Sequence, residues 1–256
     1  MQKFFVNKDG GVYMERRTLI TTLLDEQKHG IKGGIYNKLQ VDFAYNSNHM
    51  EGSQLSHDQT RYIFETKTVG MEPARVDDII ETVNHFRCFD YMIQNFNESM
   101  NVEYIKKLHR MLKTGTLSSE SEEAIVGDFK KYPNYVGDMQ TSKPKEVATD
   151  MDKLFLWYYK IENPSLDDIL EFHVRFEKIH PFYDGNGRTG RLIMFRECLK
   201  NDIVPFVITD TYKGNYYNGL QQWQMGGEKG FLRDTCLLMQ DHMKANLDYF
   251  EISYKE

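Results

Sequence analysis

The chain has 256 residues, 38 acidic against 32 basic side chains and a formal charge of −6, so it lacks the polycationic surface that nonspecific nucleic-acid binding uses. Its three cysteines, Cys88, Cys198 and Cys236, are odd in number and far apart, which sets aside a disulfide framework or a zinc-like spacing and points to a reducing cytoplasm. The opening MQKFFVNKDGGVYMERR has no secretory apolar core and no run approaches a membrane span, so the expectation is a cytoplasmic chain with no membrane and no nucleic-acid partner.

After a polar start, TLITTLLDEQ (18–27) and GIYNKLQVDFAYNSNHME (34–51) predict two helices, separated by the glycines of HGIKGG. Ser56 followed by Gln59 is an S-x-x-Q capping box and predicts a third helix from there. In VDDIIETVNHFRCFDYMI (76–93), Ile79, Ile80, Val83, Phe86, Phe89, Met92 and Ile93 recur at three- and four-residue intervals, the pattern of a core helix. Tyr104, Ile105, Leu108, Met111 and Leu112 repeat it up to Thr114 and Gly115.

The periodicity then lapses over residues 115–146. Within that stretch YPNYVGDMQTSKP alternates bulky residues around a glycine and stops at Pro144, compatible with a small β-hairpin or an irregular flap. Helical spacing resumes in VATDMDKLFLWYYKI and in PSLDDILEFHVRFEKIH, which delivers His180 at its end. LIMFRECL (192–199), TYKGNYYNGLQQWQ and FLRDTCLLMQDHMKANLDYF predict the remaining helices. The expected fold is all-α with a short β-hairpin flap: an N-terminal helical region over 1–70, and a catalytic core with C-terminal helices over 71–256.

The chemistry concentrates in HPFYDGNGRTGR, His180 to Arg191. Pro181 has no amide hydrogen and biases its predecessor against helical dihedrals, so the helix should end near His180 and present the imidazole at a boundary. Gly185 and Gly187 allow a tight turn into a new helix whose first amides face the loop, a ready anion site. Arg188 and Arg191, three apart, add guanidinium forks for phosphate oxygens. Asp184 is a hard oxygen ligand of the kind Mg2+ takes, and a neutral His180 is a general base. Singly these residues are a helix cap, a turn former and a solvated face, and GNGRTG lacks the lysine and preceding strand of a P-loop. Together they fit nucleophilic attack on a phosphoryl group.

HPFYDGNGRTGR resembles the full signature of the Fic-domain family, H-x-F-x-[D/E]-G-N-G-R-x-x-R, at every position. The resemblance implies transfer of AMP from ATP to a Tyr, Thr or Ser hydroxyl of a protein, with Mg2+ or Mn2+ as cofactor. His180 would be the base, Phe182 a structural pin and Asp184 the metal ligand. Gly185, Asn186 and Gly187 would line the anion hole, with Arg188 and Arg191 on the outer phosphates. Tyr135, Val136, Gly137 and Asp138 fall where the family has its target-positioning flap, and Asn215, Tyr216 and Tyr217 where adenine is held, with Tyr216 and Tyr217 equally open to reading as core aromatics.

SNHMEG places Ser47 and Glu51 on one helix face, with Gly52 as a stop. Alone it is a surface helix end; beside the longer motif it resembles the inhibitory helix of one class of the family, with Glu51 competing for Arg191 where the γ-phosphate should bind. The resemblance also implies self-association and self-modification beside an unidentified protein target. AMP removal, UMP, phosphocholine or phosphate transfer on the same scaffold, and a non-catalytic interaction module are the alternatives it leaves.

Overall fold

The computed structural model describes residues 4–6, 12–14, 17–70, 72–123, 125–137 and 139–255, the first two segments by their backbone. Among these residues ten α-helices account for most of the fold: α1 Leu19–His29, α2 Ile35–Met50, α3 His57–Thr66, α4 Val76–Gln94, α5 Val102–Lys113, α6 Pro144–Tyr158, α7 Leu166–Ile179, α8 Asn186–Lys200, α9 Lys213–Gln224 and α10 Gly230–Tyr249. Short 3₁₀ turns at Leu117–Glu120 and Asp210–Tyr212 punctuate the connections. No described helix is long and apolar enough to cross a membrane.

Two antiparallel hairpins complete the fold. The flap pairs β3, Tyr135–Val136, with β4, Met139–Gln140, around Gly137 in the left-handed region. Of the two forms left open by the sequence, the segment takes the hairpin. A second hairpin, β1 Phe4–Val6 with β2 Val12–Met14, was not foreseen. FFV and VYM are too short for periodicity to register, although the Asp9-Gly10-Gly11 run between them carries turn chemistry.

The helix starts follow local capping. Ser56 accepts from the Gln59 amide at 3.1 Å, and the Gln59 side chain accepts from the Ser56 amide at 2.8 Å. Ser165 and Asp168 form the same reciprocal box at the start of α7. Pro144 opens α6, where its missing amide hydrogen is not needed.

Packing converges on α8. Helices α2, α4, α5 and α7 all lie against it, and its residues from Arg188 to Leu199 are buried. One apolar cluster runs from Leu23 and Phe43 of α1 and α2 through Phe89 of α4 and Leu108 of α5 to Phe176 and Phe195. Each such side chain contributes about 1.5–3 kcal/mol through burial. A second cluster, including Met50, Met194, Tyr216 and Trp223, lies under α9 and α10. The first turn of a clamped central helix is therefore a rigid place to fix a loop.

Candidate active site

His180 caps α7 with φ 51° and ψ 63°, a left-handed conformation that the following Pro181 helps enforce by disfavouring the right-handed helix. Its amide still donates to the Phe176 carbonyl at 2.9 Å. The ring is largely enclosed, and Nδ1 is buried without a hydrogen-bond partner. Burial, reinforced by the nearby Lys130 ammonium, pulls its pKa down to about 4, so the imidazole is neutral at pH 7.

The loop after His180 is closed by one side chain. Asn186 Oδ1 accepts from the Phe182 amide and Nδ2 donates to the Phe182 carbonyl, both at 2.9 Å. The Asn186 side chain is therefore a brace; what it offers an anion is its backbone amide, one of the first amides of α8, which have no intrahelical acceptor. Phe182 is fully buried and stacks flat on His109, with ring centroids 3.8 Å apart. His109 Nδ1 accepts from the Gly127 amide at 3.0 Å, which leaves Nε2 to donate to the Asp184 carbonyl at 2.9 Å. Gly185 turns at φ 80°, and a Cβ there would come within 3.1 Å of the Lys113 stem.

Four charges lie under this turn. Arg188 meets Glu81 at 2.5 Å and Asp184 at 3.7 Å; Lys113 meets both carboxylates at 2.6 Å. Arg188 is 2% exposed and also donates to Asn48 Oδ1 at 3.3 Å. Burial opposes ionisation of Asp184, but Lys113 and Arg188 hold its carboxyl well below the usual range.

Arg191, one turn on, faces α2. Nε donates to Ser47 Oγ at 3.0 Å, while Nη2 donates to the Ser47 carbonyl at 2.9 Å and to Glu51 Oε1 at 2.7 Å. A Cβ on Gly187 would be 2.5 Å from that same Glu51 oxygen. The carboxylate thus lies directly over the first turn of α8. Glu51 itself is the C-cap of α2, and Gly52 beyond it turns at φ 99°.

The flap is fastened at its base. Lys130 Nζ, 3% exposed at the residue level, donates to Asn134 Oδ1 at 2.7 Å, Thr141 Oγ1 at 2.6 Å and the Ile179 carbonyl at 3.4 Å. Its amide donates to the Pro181 carbonyl at 2.9 Å. Burial lowers the ammonium's pKa to about 8. Tyr135 and Val136 are exposed at the tip; Asp138 lies outside the described residues.

Of the three residues expected near adenine, Asn215 and Tyr217 are exposed, but Tyr216 is buried and its hydroxyl is 2.6 Å from His173 Nε2. Tyr216 belongs to the core of α9, because a helix that presents Tyr217 outward turns its neighbour inward. The sequence reading also missed Glu81, His109, Lys113 and Lys130. One signal was available: His109 and Lys113 continue the apolar face of Ile105 at four-residue spacing, two polar groups where packing alone calls for none.

As a metal site the loop offers one hard carboxylate, Asp184, and no group of three or more His, Cys, Asp or Glu side chains converges among the described residues. That donor set fits Mg2+ bound mainly through phosphate oxygens and water. Glu81, the other acid nearby, is engaged by Arg188 and Lys113.

Residues 99–198 match the family model described as the Fic/DOC family. The chain is 26% identical over 195 residues to "Protein adenylyltransferase Fic" of Nematostella vectensis, covering 74% of this chain and 44% of that protein. The relative of that name in Culex quinquefasciatus is 26% identical over 200 residues, covering 75% and 39%. The chain thus spans less than half the length of these curated relatives. A Fic domain containing signaling protein of Bacteroides thetaiotaomicron has the same fold, with TM-score 0.72 and 23% identity, covering 93% of this chain and 98% of that one. Fic-1 of C. elegans superposes with TM-score 0.67 at 20% identity over 91% and 71%. The motif loop, His180 to Arg191, thus lies inside the segment that matches the Fic/DOC family model, and the helices around it have the fold of that Bacteroides protein.

Proposed function

We propose that this chain is a protein adenylyltransferase that moves AMP from ATP to a Tyr, Thr or Ser hydroxyl of a protein and releases pyrophosphate, and that Glu51 restrains it. The name shared by the curated relatives supports the reaction class. The observation that carries the reading is the Glu51 carboxylate on Arg191, over Gly187 and the first amides of α8. An internal anion there marks a place built for anions.

In this reading the nucleotide's phosphates meet the α8 amides, Arg188 and Arg191. Mg2+ or Mn2+ on Asp184 would supply charge neutralisation to the phosphate oxygens. His180, neutral at pH 7, accepts the proton of the target hydroxyl. That oxygen attacks the α-phosphorus, the bond to the bridging oxygen breaks, and pyrophosphate leaves. Positioning and charge stabilisation supply the rate, and the chain forms no covalent intermediate of its own. Glu51 competes for the guanidinium that the outermost phosphate needs, so a nucleotide bound beside it is held off the line of attack. The flap offers short, exposed strand edges for main-chain pairing with a target segment.

The test is incubation of the Glu51→Gly protein with Mg2+ and ATP labelled at the α-phosphate, against candidate proteins and itself, read by intact mass. Covalent AMP is expected, with UTP as the control for UMP transfer. Folded protein that binds ATP but transfers nothing to any target or to itself would overturn the reading.

A further inference from the structure

Lys113 ends α5 with its side chain 4% exposed and its ammonium between two carboxylates, Glu81 Oε1 and Asp184 Oδ2, each 2.6 Å away. Its stem passes under Gly185, which fixes where the ammonium sits. Burying an ammonium is unfavourable unless it is paired, and an apolar chain of equal length would fill the same space without two acids. Packing does not call for a lysine here. The carboxylate it holds is the one acid of the signature loop, and through Glu81 and Asp184 it is one carboxylate removed from Arg188. Lys113 and Arg188 against Glu81 and Asp184 form a balanced set, two charges of each sign.

We propose that Lys113 is a built-in cation of the phosphate site, holding Asp184 when no divalent ion is bound and remaining beside the phosphates on Glu81 when one is, so that it sets how strongly nucleotide binding depends on metal. The proposal rests on the nucleotide-binding reading given above. Two cations sharing one carboxylate in a poorly solvated site repel each other, so an arriving divalent ion must first loosen Lys113 from Asp184. Glu81 then retains the ammonium, and a small solvent-open recess bordered by Lys113, Ser118, Ser119, Tyr183 and Asp184 lies beside it. Without the ion, Lys113 still lends the phosphates a counter-charge. Both effects narrow the gap between ATP affinity with metal and without it.

The experiment measures ATP binding by calorimetry in the Glu51→Gly background, in EDTA and in saturating Mg2+, for the parent, Lys113→Gln and Lys113→Met. Glutamine keeps hydrogen-bond donors and removes the charge, so it decides the matter should the methionine variant fail to fold. The ratio of Kd without Mg2+ to Kd with Mg2+ is expected to rise by roughly fivefold or more in both variants, mainly through weaker metal-free binding. Equal weakening under both conditions leaves the ratio unchanged and overturns the proposal, because that is what lost packing alone would do. A ratio that falls overturns it too. Folded parent protein that binds no ATP under either condition would instead remove the nucleotide reading, and this inference with it.

Discussion

Glu51 accepts a hydrogen bond from Arg191 at 2.7 Å, and the two residues stand 140 positions apart in sequence. The contact ties the end of α2 to the second turn of α8, so one change reaches both stability and the proposed phosphate site. In Glu51→Gly, transfer of AMP should rise by roughly an order of magnitude or more. The same change leaves Arg191 short of its carboxylate. The cost should be about 2 kcal/mol, below the roughly 3–5 of a fully buried pair, because Glu51 is partly exposed and Ser47 keeps both of its bonds. Thermal melts should show a loss of about 4–8 °C, restored in part by ATP.

His180→Ala separates chemistry from binding. In the Glu51→Gly background it should lower transfer by roughly 10²–10⁴-fold, with ATP affinity by calorimetry within about twofold of the parent, since the guanidiniums and α8 amides stay in place. Transfer at the parent rate would remove His180 from the role of base.

Lys130→Met should act on the target and on the pH profile, with little effect on ATP affinity. The flap loses three hydrogen bonds at its base, so KM for a protein target should rise. Lys130 also helps depress the His180 pKa, burial being the larger cause. Without the ammonium that pKa moves up from about 4, and the acid limb of kcat/KM should shift to higher pH. A profile recorded from pH 4 to 8 checks both sign and direction.

Asn186→Ala should show whether the loop is held by its brace. Two bonds to the Phe182 backbone disappear, one of them leaving a buried amide without an acceptor. A loss of about 2–3 kcal/mol in urea unfolding is expected, together with weaker ATP binding as Gly185 and Gly187 lose their fixed positions.

The whole domain should be acid-labile well above the carboxylate range. Burial holds His85 and His173 at about 3, and His109 and His180 at about 4. Between their unfolded value of about 6.5 and these folded values, the unfolded chain binds protons that the native one does not, so stability falls as pH falls. Glu177 works the other way: burial raises it to about 8, so it favours folding more as pH drops from there toward its unfolded value. The four histidines outweigh it. Unfolding at pH 5.5 should take up roughly three protons, measurable as a decline of about 4 kcal/mol in unfolding free energy per pH unit.

The helices were legible because their apolar spacing and caps are local. α3 begins at the box of Ser56 and Gln59, and α7 stops where Pro181 requires. The first hairpin escaped notice because three-residue strands carry no period. The charged floor of the loop was illegible for another reason. Glu81, Lys113 and Asp184 come from three elements, and nothing in the neighbours of Glu81 along α4 announces that two cations will close on it. For Tyr216 and Tyr217 the sequence left core and site both open, because one step of 100° around a helix separates the buried Tyr216 from the exposed Tyr217.

Lys130 pins the flap by its base to the backbone that carries His180, and in the proposed docking of a target segment this would make the hairpin a ruler. A segment paired along its edge presents alternate side chains to the same face, repeating about every 6.6–6.8 Å. Sliding such a segment by one residue would turn its hydroxyl away from the imidazole, and sliding it by two would offer the next one in line. Selection among neighbouring hydroxyls would then be a matter of phase along the edge, set by the register that puts Tyr135 opposite Gln140 and Val136 opposite Met139, before any side-chain pocket is consulted.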